Sequence, residues 1–286
     1  MDIASLRAFL AVAETGSFSR AAGRLHLTQP AVSKRVAALE SELDLPLFDR
    51  IGKQVQLTEG GRALLPRARR ILLELEDSRR VLRNLSEQVG GELRIATSHH
   101  IGLHHLPPAL RRFAGRYPAV ELDLHFMESE EACEAIHHGD LELAVITLPP
   151  RADADLQQQR LWPDPMAVVV GRGHPLFAQP PTDAARLLAH AAILPERGTY
   201  TRALVEGAFG KPLRVRMATN YLETIKMLVS VGLGWSVLPR SLISEELRAV
   251  EIDGLAIQRE LGVVWHARRT LSNAARAMID ILQEND

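Results

Sequence analysis

Two short amphipathic patterns separated by a tight break constrain the fold of this chain more than any other feature. Ser17 and Thr28 stand where each helix would begin, and both residue types are good amino-terminal caps. Pro30 falls in the first turn of the second helix, where proline is tolerated. The apolar positions at helical spacing are Phe18, Ala21, Ala22 and Leu25 before the break and Val32, Val36 and Leu39 after it. This pattern predicts a helix-turn-helix.

The second of these helices has an outer face suited to DNA. Small or hydrogen-bonding side chains occupy the arc opposite its apolar side, and such a face fits a major groove. Gln29 suits adenine, Lys34 suits guanine or phosphate, and Ser33 suits either. The predicted DNA contacts of this helix are Thr28, Gln29, Pro30, Ser33 and Lys34. The alternative is a solvated helix face in a small bundle.

Two apolar runs around a turn that contains glycine follow the helix-turn-helix. Leu47-Phe48 and Val55-Gln56-Leu57 flank this turn, which predicts a hairpin. Beside a helix-turn-helix, such a hairpin would be a wing. Arg50 and Lys53 would then reach phosphates or a minor groove. The alternative is an ordinary surface hairpin.

A long helix is predicted after the hairpin. Thr58 and Glu59 supply a cap and a favourable charge at its start. If residues 59–89 are helical, the rod is about 45 Å long. Its heptad seam consists of Leu64, Ala68, Ile71, Leu75, Ser78, Leu82, Leu85 and Val89. The seam predicts pairing with a second copy, the alternative being a helix that lies on its own domain. Gly90-Gly91 predicts a domain boundary.

The remaining two-thirds of the chain alternates between strand and helix patterns, which predicts open α/β sheets. The predicted strands are 92–97, 120–126, 143–146, 167–170, 191–194, 215–218, 235–238 and 262–266. The predicted helices are 107–117, 130–138, 182–188, 200–209, 221–231 and 271–283.

Composition excludes several classes of protein. With 46% hydrophobic and 24% charged residues, the chain is neither mainly disordered nor collagen-like. Cys133 is the single cysteine, so no internal disulfide forms. The longest uncharged run is too short to cross a bilayer and no secretory signal is evident, so a cytoplasmic location is predicted. Residues 1–90 carry 14 basic and 11 acidic side chains, which favours a polyanion-binding head.

The chain resembles the LysR-type transcriptional regulators along essentially its full length. The amino-terminal matches are Leu6-Arg7-Ala8-Phe9, Gly16-Ser17-Phe18-Ser19-Arg20-Ala21-Ala22, Leu27-Thr28-Gln29-Pro30-Ala31-Val32-Ser33, Leu39-Glu40, Leu47-Phe48-Asp49-Arg50 and Leu57-Thr58-Glu59. The later matches include Leu106-Pro107, Tyr117-Pro118, Gly139-Asp140-Leu141-Glu142-Leu143-Ala144, His174-Pro175-Leu176 and Leu238-Pro239. The resemblance implies that Gln29, Pro30, Ser33, Lys34 and Lys53 meet DNA. Many members carry arginine where this chain has Lys34, so a compact ammonium group replaces a planar guanidinium that could make two parallel hydrogen bonds.

The resemblance also implies the whole architecture, an α plus α/β fold. Residues 1–58 would form a winged helix-turn-helix, residues 59–90 a linker and dimerisation helix, and residues 91–286 an effector domain that resembles periplasmic binding proteins. Its subdomain I would comprise 92–161 plus 267–286, and its subdomain II 162–266. The implied function is transcription regulation, as activator or repressor. The implied partners are double-stranded DNA, a small effector, a second copy in a dimer or tetramer, and RNA polymerase.

A cleft between the two subdomains would bind the effector. The carboxyl ends of strands and the amino ends of helices meet there, and backbone N–H groups with nearby hydroxyls suit a small anion such as a carboxylate metabolite. The predicted effector contacts are Thr97, Ser98, His99, Ser129, Thr147, Gly198, Thr199 and Asn220. The alternative is that the hydroxyl residues only cap helices.

Metal and enzyme chemistry find little support in the sequence. His99, His100, His104 and His105 have offsets of one, five and six from the first, which match no known ligand spacing, so no metal site is predicted. One of them is a candidate ligand contact. Cys133 is predicted to be a buried helix residue rather than a thiol sensor. No cofactor or catalytic motif is found. The remaining alternative is a metabolite-binding protein or enzyme with a vestigial DNA-binding head.

Overall fold

A computed structural model describes residues 1–51, 54–86 and 88–284. Contacts between residues divide the chain into two compact units, Met1–Leu85 and Ser86–Asp286. Among the described residues, no helix combines the length and the apolar character that a membrane crossing requires.

The first unit contains the predicted helix-turn-helix and hairpin. Its elements are helices α1 (Ile3–Thr15), α2 (Phe18–Arg24) and α3 (Gln29–Leu43), strands β1 (Phe48–Ile51) and β2 (Gln54–Leu57), and helix α4 (Glu59–Asn84). The antiparallel pairing of β1 with β2 sets Phe48 opposite Leu57. Phe9 and Leu47 are buried in the core of this unit, where Phe9 packs against Phe48.

Two of the three predicted helix caps are confirmed. The Ser17 hydroxyl accepts a hydrogen bond from the Arg20 backbone N–H, and the Thr58 hydroxyl accepts one from Gly61. Thr28 occupies the predicted N-cap position with the extended backbone of a cap, but its hydroxyl makes no cap hydrogen bond. A cap normally bonds the second or third helical N–H, and Pro30 at the second position has no N–H to give.

The long helix ends earlier than the heptad pattern predicts. Helix α4 stops at Asn84, so Leu85 and Val89 lie beyond it, and Val89 packs against the core of the second unit. Ala68 is fully buried in the core of the first unit. Leu64 and Ala68, the first two residues of the predicted seam, therefore lie on their own domain, as the alternative proposed, whereas Ile71 is 39% exposed. Leu82, near the end of the helix, is 67% exposed.

The second unit is an α/β fold with more strand than predicted. Its strands are β3 (Gly91–Thr97), β4 (Val120–Phe126), β5 (Leu143–Thr147), β6 (Leu156–Gly171), β7 (Ala192–Leu194), β8 (Val215–Ala218), β9 (Ser236–Pro239), β10 (Leu247–Val250) and β11 (Ile257–His266). Its helices are α5 (His99–His104), α6 (Leu106–Arg116), α7 (Ser129–His138), α8 (Ala184–Leu188), α9 (Tyr200–Phe209), α10 (Leu222–Ser230) and α11 (Asn273–Gln283). Strand β10 and helix α5 were not predicted, and β6 and β11 are longer than predicted.

Within the described residues, seven of these strands form one sheet. Its order is β10-β6-β11-β5-β3-β4, with β9 also paired to β6. Strand β3 is parallel to β4 and β5, whereas β11 is antiparallel to both β5 and β6. Strands β7 and β8 form a separate parallel pair. The sheet is therefore mixed, and strands β5, β3 and β4 form its parallel part, which ends at the edge strand β4.

The long strands β6 and β11 run through two halves of the unit, each with cores on both faces of the sheet. In the first half, Val145 belongs to one core cluster and Ala144 to another. In the second half, Val168 and Val169 are divided in the same way. A bulge in β11 after Leu261 lies between the halves. The exact subdomain limits remain a prediction, since β6 continues across the proposed boundary at residue 161.

Candidate DNA interface and effector cavity

Helix α3 presents the predicted recognition face to solvent. Val32 and Val36 are buried in the core of the first unit, which orients the helix. Thr28, Gln29, Pro30 and Lys34 are exposed, and Ser33 is half-buried. The Gln29 side-chain amide donates a hydrogen bond to the Ser33 hydroxyl, with a distance of 2.8 Å between nitrogen and oxygen. Their link holds two hydrogen-bonding groups side by side on the exposed face.

The predicted wing contains the antiparallel strand pair β1 and β2. Arg50 lies on β1 opposite Val55. Lys53, the other predicted wing contact, lies outside the described residues. The backbone arrangement therefore agrees with the prediction of a wing, and the roles of both side chains remain predictions.

The second unit contains a partly open pocket at the predicted position, here called the effector cavity. Six of the eight predicted effector contacts line it: Ser98, His99, Ser129, Thr147, Thr199 and Asn220. Thr97 and Gly198 are not among its lining residues. The Thr97 hydroxyl is buried and donates to the Val145 carbonyl at 2.9 Å. Gly198 instead makes a turn with a φ of +96° before helix α9.

Several lining side chains also hold the walls of the effector cavity together. The Ser129 hydroxyl accepts a hydrogen bond from the Thr147 backbone N–H at 3.2 Å. The Thr199 hydroxyl caps α9 by accepting from Arg202. The Asn220 side-chain oxygen accepts from the Glu196 backbone N–H at 2.9 Å. The alternative of a structural role therefore describes part of what these residues do. Ser98, by contrast, makes no side-chain cap bond.

A buried ion pair that the sequence analysis missed lies beside this wall. The Arg259 and Asp164 side chains are 5% and 4% exposed. The Arg259 Nε and Nη2 atoms both donate to Asp164 Oδ2, and Nη1 donates to the Thr201 hydroxyl at 3.1 Å. A guanidinium has five N–H groups, so two remain without a partner among the described residues. Arg259 lines the effector cavity and offers N–H donors there, while its charge is balanced by that of Asp164.

Carboxyl groups that line the effector cavity were also missed. Burial, together with the nearby carboxylates of Glu130, Glu131 and Glu196, raises the pKa of Glu128 to about 7. Glu130 accepts a hydrogen bond from the Tyr200 backbone N–H. Near neutral pH, Glu128 is therefore protonated in about half of the molecules and is then a hydrogen-bond donor.

The histidines occupy distinct environments. The His99 ring lies between Phe126 and Tyr221, with centroid separations of 5.2 and 5.0 Å. His100 is 3% exposed, and burial with the charge of Arg259 lowers its pKa to about 4. His100 is a lining residue that sequence reasoning named but did not place in the effector site.

Cys133 is buried in α7, as predicted. Burial raises the pKa of its thiol to about 11, so the thiol stays protonated at neutral pH. A thiolate is the reactive form of cysteine, and this environment therefore disfavours thiol sensing.

Two family models match the chain. The model described as "Bacterial regulatory helix-turn-helix protein, lysR family" matches residues 3–62, and the "LysR substrate binding domain" model matches residues 86–286. The chain belongs to the LysR family of transcription regulators. It is therefore a DNA-binding regulator with an effector-binding domain rather than an enzyme, and the enzyme alternative is not supported.

Relatives and solved structures agree with this family. The LysR-type chain is 32% identical over 285 residues to a RuBisCO operon transcriptional regulator of Allochromatium vinosum, covering 97% of this chain and 94% of the relative. A full-length OxyR variant of Pseudomonas aeruginosa has a TM-score of 0.72 at 25% identity, covering 99% of this chain and 95% of OxyR. The CcmR regulatory domain of Synechocystis in complex with 2-PG has a TM-score of 0.60 at 29% identity, covering 68% of this chain and 96% of that domain.

Proposed function

We propose that this regulator reads its operator with the exposed face of α3 and the wing, and that a small organic anion in the effector cavity controls it. The observation that carries the effector part is the cavity itself, where α7, α9 and α10 begin beside the buried guanidinium of Arg259. Helix amino termini and arginine both favour anions. The solved complex of CcmR with 2-PG supports a small ligand at this kind of domain.

The DNA part is tested with fragments selected by genome-wide footprinting of the native protein. Lys34→Ala should weaken binding to the selected fragment, because it removes a group on the α3 face. Lys53→Ala should mainly reduce the salt dependence, by about one in the slope of log affinity against log salt, because a phosphate contact is lost. Fluorescence anisotropy over a salt series measures both. Unchanged affinity and slope in both variants would contradict the proposed interface.

The effector part is tested by calorimetry with 2-PG, inorganic phosphate and a panel of small carboxylates as probes. At least one anion should bind, and Ser98→Ala and Ser129→Ala should each weaken that binding several-fold. The exposed Ser241→Ala serves as a matched control and should bind like wild type. Absence of anion binding, or tight binding of a neutral probe that both cavity variants leave unchanged, would contradict the proposal.

The proposal includes self-association and contact with RNA polymerase. The exposed apolar side chains on α4 support a dimer, and pairing would present two recognition helices to two half-sites. Tetramer formation and the RNA polymerase contact rest on the family resemblance, and a cytoplasmic location rests on the sequence alone, so all three remain predictions.

A further inference from the structure

Two histidines of α5 and a glutamate of α10 converge at one point. His100 and His104 are four residues apart on α5 and so lie on the same face of the helix. Glu223 stands in the first turn of α10. Its Oε1 atom lies 3.0 Å from His104 Nε2 and 3.6 Å from His100 Nδ1.

The burial of His100 makes this cluster unusual. Its side chain is only 3% exposed, and neither ring nitrogen has a hydrogen-bond partner in the described part of the chain. A buried polar group without a partner costs free energy, on the order of 1–3 kcal/mol. Such a cost in a folded protein calls for a compensating ligand.

We propose that His100, His104 and Glu223 bind a divalent transition metal ion of the Zn²⁺ class. Imidazole and carboxylate are ligands that zinc accepts, at distances of about 2.0–2.2 Å. Two ligands in a tetrahedron of that size are about 3.4 Å apart. The 3.0 and 3.6 Å separations bracket this value. All three ligand atoms lie within 4.8 Å of one another, so small side-chain shifts complete the site.

Two other groups of side chains in the described residues meet the same distance criterion but fit a metal less well. His105 and Asp164 also approach His100, yet Asp164 is already neutralised by the two hydrogen bonds from Arg259. His137 pairs with Asp153 at 3.0 Å and lies near Asp155 on a more exposed surface. His137 is therefore partly exposed and already has a partner, unlike His100.

The proposed site lies beside the effector cavity and joins its two walls. Helix α5 follows β3 in the first half of the domain, and α10 belongs to the core of the second half. A bound ion would therefore tie the two halves together across the cleft. Three protein ligands leave one tetrahedral position for water or an exogenous ligand. The proposal of a metal site does not depend on which anion binds in the effector cavity.

The test is zinc titration calorimetry on full-length protein without a polyhistidine tag, stripped with chelator and kept in phosphate-free buffer. Wild type should bind one Zn²⁺ per chain at this site with a micromolar or lower dissociation constant, and zinc should raise its melting temperature. His104→Ala and Glu223→Gln, both at partly exposed positions, should each weaken binding at least tenfold and reduce the thermal shift. His125→Ala, at a partly exposed histidine on β4 outside the cluster, is the control and should bind like wild type.

A second control tests whether zinc binds instead at the group formed by His137, Asp153 and Asp155. His137→Ala should leave zinc affinity unchanged. The inference is overturned if wild type shows no binding at micromolar zinc, if His137→Ala abolishes binding, or if His104→Ala and Glu223→Gln both bind like wild type. Melting curves without zinc verify that each variant is folded.

Discussion

Asp164 and Arg259 face each other as direct partners on β6 and β11, although 95 residues separate them in the sequence. Removing one member of a buried pair leaves an uncompensated charge, which is strongly destabilising, whereas replacing both with apolar groups is often tolerated. The pair lies at matched positions of two strands and holds a guanidinium at the effector cavity.

The first prediction concerns this ion pair. Asp164→Ala should lower the free energy of unfolding by about 3–5 kcal/mol, because Arg259 would remain buried without a counter-charge. The double variant Asp164→Leu with Arg259→Met should recover most of that loss while losing anion binding. Urea denaturation measures the stability. A cost below about 1 kcal/mol for the single variant would show that the pair is not important for stability.

The second prediction concerns pH. A neutral Glu128 can donate to a bound anion, whereas its carboxylate repels one. With a pKa of about 7, the neutral fraction falls about tenfold between pH 6 and pH 8, and the affinity for a carboxylate probe should fall similarly. Because its folded pKa is raised above 4.5, Glu128 also contributes stability that is fully present below pH 4.5 and lost as pH rises through about 7.

Calorimetry of the tightest carboxylate probe at pH 6, 7 and 8 checks this dependence. Glu128→Gln should give affinity that varies little with pH, and the exposed Glu134→Gln should behave like wild type. A wild-type affinity that is flat or rises with pH would contradict the assignment to Glu128.

Local sequence signals located some cavity residues and missed others for identifiable reasons. Ser98 and Ser129 follow strands directly, so placing the strands also places them. Arg259 and Asp164 meet only through tertiary pairing, which no local pattern reveals. The spacing of four between His100 and His104 was visible, but offsets counted from His99 obscured it, and α5 is too short to show helical periodicity.

Helix α4 was predicted correctly as a helix, but the sequence did not show that part of its apolar surface packs on its own unit while another part is exposed. The heptad pattern identifies the helix, but apolar spacing does not reveal which surface it covers. Ala68 and Leu72 pack on the core of the first unit, whereas Ile71 and Leu82 are 39% and 67% exposed. The exposed residues remain available to a second copy.

The third prediction follows from that exposed surface. Leu82→Glu should shift the protein towards monomer at micromolar concentration, because it puts a charge into the proposed paired interface. Leu45→Glu is a matched control, since Leu45 is 55% exposed in the same unit and lies outside α4. Sedimentation velocity distinguishes the two. Identical association of wild type and Leu82→Glu would exclude this part of α4 from the dimer contact.

Strands could be predicted only where apolar and polar residues alternate clearly. Strand β4 was predicted at its observed bounds because apolar and polar residues alternate along it. The first part of β6 was missed, since polar residues at 157–160 and the prolines Pro163 and Pro165 disguise it. Strand β10 has only four residues and charged neighbours, so no periodicity could identify it.

For the whole molecule, the order of head, long helix and α/β unit was predicted; the structure contains helix α4, and the family models match the head and the effector domain. What local patterns could not give is the continuous sheet, in which β6 and β11 pass through both halves of the effector domain. That continuity means that a ligand between the halves acts on strands that both share. Ligand binding can then bias one domain geometry over another.

Two copies of this regulator, paired through α4, should read two related half-sites of one operator. Hydroxyl-radical footprinting on a selected operator, combined with anisotropy against a scrambled fragment at the same salt concentration, tests it most directly. We expect two protected half-sites related by a dyad, an even number of chains per complex, and binding at least about a thousandfold tighter than to the scrambled fragment. A single chain bound with equal affinity to both fragments would contradict it.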